Sequence, residues 1–179
     1  MNRKSSSLKL TLTAVFAALM IAGTYIRIPL GPVPIVLTTI FTIGAGAILG
    51  PLAGAGAVLL YLILGAIGLP VFSAGGGLAL FLSPTGGFLM GYLLSALFAG
   101  LIIHTGTPSR LKDVLGILAG TIIIYLPGIP FLAYKLEITI GETLKIGFYP
   151  FIIGDLIKAA VLFLLLDRLR KSAPEFFVK

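Results

Sequence analysis

Two residues in this sequence are placed to do chemistry together, Asp155 and Lys158. They stand inside an apolar run from Gly147 to Leu166, which ends at Asp167 and Arg168. On a helix, positions i and i+3 share a face and lie about 4.5 Å apart along the axis. An ionisable residue within a membrane span costs about 2.5–3.5 kcal/mol on insertion scales. Each large aliphatic neighbour near the span centre returns roughly 0.3–0.6 kcal/mol. The span therefore gains little by insertion alone, and the pair needs a reason. One reason is mutual neutralisation, or the capping of a polar neighbour. The other is a ligand with complementary groups, an anion for Lys158 and hydrogen-bond donors for Asp155. Such a ligand is small, partly apolar, and carries a carboxylate and at least one donor.

Two other classes are weighed against solute binding. In a membrane-embedded enzyme acting on a lipid, Asp155 and Lys158 would serve as base and electrophile. No second acidic cluster, His pair or nucleophile constellation accompanies them in another apolar run. A channel would need a repeated ring of pore-lining charge, and none is present.

The composition sets the stage for the pair. The chain has 179 residues, 58% hydrophobic and 11% charged, with a mean hydropathy of +1.14. A soluble domain of this size would carry far more polar surface. The apolar runs approach 20 residues and show no barrel-like alternation, which predicts an all-α integral membrane protein of one transmembrane domain. There is no room for a soluble ATPase module, and no Gly-rich phosphate loop with Lys-Ser or Lys-Thr. The net charge of +7 comes from basic residues flanking the runs, so it reads as topology and lipid-headgroup charge rather than nucleic-acid binding. Cysteine is absent and His104 stands alone, so neither a cofactor nor a metal is expected.

Six spans are predicted, over residues 8–26, 35–49, 52–69, 88–103, 114–134 and 147–166. The first is read as a retained span rather than a secretory signal, for lack of a clean cleavage site. Three prolines between Pro29 and Pro34 keep the first loop extended. Gly50-Pro51 is a tight turn. Small residues such as Gly44, Gly46, Gly54 and Ala57 suit close helix packing. Residues 71–87 carry no charge and many glycines, which predicts an apolar lid folded over the bundle rather than a solvated loop. Pro127 and Pro130 predict a kink in the fifth span, and residues 135–145 read as a loop. With the termini inside, nine Lys and Arg lie in inner segments (Arg3, Lys4 and Lys179 among them) and three in outer ones. The positive-inside rule puts both termini in the cytoplasm of a cell-membrane protein. Asp155, about 12 Å past the start of its span, then faces the outer half.

Three stretches resemble the BioY family, the biotin-binding S components of energy-coupling factor (ECF) transporters. They are Ile28-Pro29-Leu30-Gly31-Pro32-Val33-Pro34-Ile35, then Gly65-Ala66-Ile67-Gly68-Leu69-Pro70-Val71-Phe72 followed by Pro84-Thr85-Gly86-Gly87, and Pro150-Phe151-Ile152-Ile153-Gly154-Asp155-Leu156-Ile157-Lys158. They occur in the family's order across nearly the whole chain. The resemblance implies a six-helix S-component fold, no enzymatic activity, and vitamin uptake with biotin as ligand. It implies that Lys158 pairs with the biotin carboxylate and that Asp155 accepts from the ureido N–H groups. It also implies docking to a transmembrane T component driven by ATPase subunits, through an Ala-x-x-x-Ala face that Ala14 and Ala18 would supply; ordinary helix packing is the other use of that pair. Further ligand contacts are expected at Thr38, Gly76, Phe88 and Tyr125. The family pattern has Gln at the first of these, Asn at the second and Tyr at the third. It also has Trp where this chain has Phe131. These departures admit an S component for a different carboxylate-bearing vitamin.

Overall fold

The computed structural model describes residues 3–172. Lys179 of the charge count lies outside them, as do the side chains of Arg3 and Lys4. The fold is helical. The long helices are α1 (Arg3–Tyr25), α2 (Thr38–Leu49), α3 (Pro51–Ala66), α4 (Gly86–His104) and α5 (Arg110–Leu136). A short α6 (Ile140–Gly147) precedes α7 (Ile152–Ser172). Between α1 and α2, β1 (Arg27–Ile28) pairs antiparallel with β2 (Ile35–Val36), with Arg27 opposite Val36. The prolines thus sit in and beside the tip of a miniature hairpin.

Four stretches are helical, long and apolar enough to cross a membrane: Ser7–Tyr25, Gly86–His104, Arg110–Leu136 and Ile140–Ser172. The second and third predicted spans are shorter helices of 12 and 16 residues. The sixth differs most from expectation. Its helix begins at Ile152, because Pro150 sits in a 3-10 turn (Tyr149–Phe151) that separates α6 from α7. Asp155 consequently lies in the first turn of α7, rather than about 12 Å into a continuous helix from Gly147. The predicted loop at 135–145 is mostly helix: α5 runs on to Leu136, and α6 starts at a capping box in which Thr139 and Glu142 satisfy each other's backbone N–H. Residues 127 and 130 do not break α5, which is assigned as helix throughout.

Helices in lipid associate by close packing rather than by escape from water. Here backbones touch where side chains are missing. A Cβ on Gly46 would overlap the Ala96 carbonyl, so α2 and α4 are in contact there. A Cβ on Gly91 would lie 2.6 Å from the Ile124 carbonyl, so α4 and α5 are equally close. Around these contacts Met20, Ala45, Val58, Ala96, Ile117 and Leu132 form a buried core. The uncharged 71–87 segment packs against one end of this core. Val71 and Phe72 are buried, and the Phe72 ring occupies the space over Gly65, edge-on to Tyr61 at 5.3 Å. Two bonds tie it to the hairpin end of α1: Tyr25 donates to the Pro70 carbonyl at 2.5 Å, and Arg27 donates to the Ser73 carbonyl.

Candidate ligand-binding site

Beneath these joined loops lies an open cavity with about 700 Å³ of unfilled space, its mouth included. Its roof is Val33 and Pro34 of the hairpin with Ser73, Ala74 and Leu80 of the following segment. Its walls come from all the long helices: Thr24, Thr38, Tyr61, Tyr92, Tyr125 and, from α7, Asp155 and Lys158.

Asp155 and Lys158 face each other at 2.6 Å, with only 13% and 11% of their side chains exposed. The helical spacing did what geometry requires, and a cavity stands beside the pair. Lysine has three protons to give, and each has a partner. Lys158 donates to Asp155 Oδ1, to Thr39 Oγ1 at 2.8 Å, and to the Val36 carbonyl at 3.3 Å. The other carboxylate oxygen, Oδ2, accepts from the Tyr125 hydroxyl. Tyr125 is held edge-on between Phe88 at 6.0 Å and Phe148 at 4.9 Å. The ammonium is therefore oriented by groups from β2, α2 and α7, and the carboxylate by α5.

Of the six residues expected to meet a ligand, the structure brings five to this cavity: Asp155, Lys158, Thr38, Phe88 and Tyr125. Gly76 does not line it. A Cβ there would overlap the Leu69 carbonyl, so Gly76 packs its backbone against the end of α3. Among the lining residues not named in advance are Thr39 and the hydroxyl-bearing Thr24, Tyr61 and Tyr92. They are scattered polar residues in apolar runs; only the adjacency of Thr39 to Thr38 offered a signal. Ala14 and Ala18 lie on the exposed face of α1, so they do not pack within this chain. Among the described residues no group of three His, Cys, Asp or Glu side chains is disposed to hold a metal ion.

The BioY family model matches residues 1–175. This chain belongs to the BioY family. A probable biotin transporter of Lysinibacillus sphaericus is 36% identical over 178 residues, covering 96% of this chain and 91% of its own. The biotin transporter of Thermotoga maritima is 39% identical over 162 residues, covering 90% and 95%. The crystal structure of a biotin S component from an ECF-type ABC transporter superposes with a TM-score of 0.88 at 33% identity, covering 99% of this chain and 100% of its own. The chain is thus a multi-pass membrane protein with an S-component fold, and the family is one of transporter components rather than enzymes. The lipid-enzyme alternative falls with that membership.

Proposed function

We propose that this BioY protein is the substrate-binding membrane subunit of a biotin uptake transporter, capturing biotin at the outer face and delivering it with an ATP-driven ECF module. One observation carries the reading: a buried ammonium and carboxylate, 2.6 Å apart, line an open cavity walled by six helices. Lys158 receives the biotin carboxylate in exchange for its longest bond, to the Val36 carbonyl. Thr39 and Asp155 keep the ammonium in place while this exchange occurs.

Six membrane passes, α1 to α5 and α7, leave both termini in the cytoplasm. The end bearing Arg110, Lys112, Arg168, Arg170 and Lys171 is then the inner one. Residues 71–87 act as the lid. The exposed Ala14 and Ala18 meet a T component, which ATPase subunits drive; membrane lipids cover the rest of the helical surface.

Binding of labelled biotin to detergent-purified protein tests the reading. Wild type binds biotin, Lys158→Ala loses most of the affinity, and biotin amide binds poorly to wild type. Unchanged affinity in Lys158→Ala would refute the carboxylate assignment. The departures at Thr38, Gly76 and Phe88 favour one second reading, a different carboxylate-bearing vitamin. A thermal-shift screen in which another vitamin stabilises the protein and biotin does not would decide for it.

A further inference from the structure

The basic residues where α5 starts and α7 ends differ in what holds them. Arg170 is committed to the buried Asp113. Lys112 gives its ammonium to the Thr105 and Thr107 carbonyls at 2.5 and 2.8 Å. Arg110 and Lys171 each take one oxygen of the same carboxylate, Asp167, at 2.8 and 2.9 Å, and both are largely exposed. Arg168 is exposed and makes no hydrogen bond or ion pair among the described residues. Three cations therefore share one carboxylate, and two positive charges stay uncompensated along the seam between the two helices.

Those charges end an apolar stripe. Ile157, Val161, Leu164, Arg168 and Lys171 follow one another at steps of four, three, four and three residues, so they run along one face of α7. All five are exposed. From Ile157 to Arg168 the helix rises about 16 Å, close to half of the roughly 30 Å hydrocarbon thickness of a bilayer. The apolar part of the stripe thus matches the acyl chain of one leaflet, and the cations stand at headgroup level. Across the seam, Val114 and Leu118 of α5 are exposed one and two turns beyond Arg110, so a second chain meets an apolar wall there. A guanidinium offers a phosphodiester a planar pair of N–H donors, and an ammonium three residues on adds a point charge on the same face. A zwitterionic headgroup carries its own cation and would leave the seam's charge in place. A headgroup of net negative charge neutralises it.

We propose that this seam is a binding site for an anionic phospholipid, its phosphate held by Arg168 and Lys171 and one acyl chain laid along Ile157, Val161 and Leu164. The proposal needs α7 to cross the membrane and is independent of the cargo.

Native mass spectrometry of delipidated full-length protein in detergent tests it, with phosphatidylglycerol and phosphatidylcholine of the same chains as probes. Wild type retains one phosphatidylglycerol in preference to phosphatidylcholine. Arg168→Gln and Lys171→Gln each weaken phosphatidylglycerol about fivefold, the usual worth of one basic residue at an anionic surface. Lys145→Gln, which removes an exposed charge on α6, leaves that affinity unchanged. The unfolding temperature of lipid-free Arg168→Gln matches wild type, because that side chain has no bond to lose, so its weaker lipid binding is not a change of fold. Added phosphatidylglycerol raises the unfolding temperature of wild type more than that of Arg168→Gln. Glycerophosphoglycerol, the same headgroup without chains, does not displace the lipid. Equal retention of the two lipids, an equal loss in Lys145→Gln, or displacement by the free headgroup overturns the site.

Discussion

Among the described residues two ion pairs are buried, one at each end of α7, and they are built differently. Asp155 and Lys158 meet beside a cavity, and each keeps other partners from neighbouring helices. Asp113 and Arg170 meet away from that cavity and do not line it. There Arg170 clasps a fully buried carboxylate through Nε at 2.9 Å and Nη2 at 2.5 Å, fastening the start of α5 to the end of α7. A two-point clasp uses both carboxylate oxygens on a single partner and so suits fixation. A pair with single bonds to several partners can exchange one of them for a ligand. Under the proposed function, the same two kinds of charge serve as a receptor at one end and a fastening at the other.

That contrast is open to attack. The largest effect is expected for Asp113→Ala, which removes the buried carboxylate that Arg170 clasps and should cost about 3–5 kcal/mol. The loss reads as a lower unfolding temperature in detergent, with biotin affinity unchanged below it. Lys158→Ala should behave the other way, losing about 2–5 kcal/mol of binding free energy with a smaller drop in unfolding temperature, since Tyr125 still holds Asp155. If the two variants showed the same profile, the division of labour would be wrong. Replacing both partners by apolar residues sharpens it further: Asp113→Leu with Arg170→Met should restore most of the stability lost in Asp113→Ala, whereas Asp155→Leu with Lys158→Met should not recover any binding. Thr39→Val should weaken biotin by about 1 kcal/mol, measured by the same binding assay. Asp167→Asn, which removes exposed partners of Arg110 and Lys171, should leave unfolding temperature and affinity alone.

The ion pair beside the cavity was legible in the sequence because charge in an apolar run is expensive, so Asp155 and Lys158 stood out within Gly147–Leu166. The long helices were legible for the converse reason, as runs of apolar residues with polar ends. Their limits were less so. Thr139-Ile140-Gly141-Glu142 is a capping box, and it marks the start of α6 in a stretch whose balanced charges suggested only a loop. Pro150 was readable as a helix breaker, yet the continuous hydrophobicity around it hid the break. The hydroxyls of Thr24, Tyr61 and Tyr92 could not be found, because a Thr or Tyr in a membrane helix normally satisfies itself on its own backbone or at an interface. Only tertiary contact between α1, α2, α3 and α4 gathers them around one cavity. Gly76 misled for a related reason, since glycine spacing in a loop fixes neither its register nor which way it turns. The departures at Thr38 and Phe88 remove polar atoms near the cavity, and the hydroxyls of Tyr61 and Tyr92 stand where they can make up the difference.

The Gly50 turn between α2 and α3 has a consequence for the surrounding bilayer. At 1.5 Å per residue, helices of 12 and 16 residues extend about 18 and 24 Å, against a hydrocarbon thickness of about 30 Å. Leu52, Leu59 and Ile63 on α3 are exposed and apolar, so lipid tails reach this short pair directly. With both helices as passes, as proposed above, the lipids there would have to thin to match, at a cost of fractions of a kcal/mol per ångström. Shorter acyl chains relieve that mismatch, so the membrane itself becomes a variable in how firmly this side of the bundle is held.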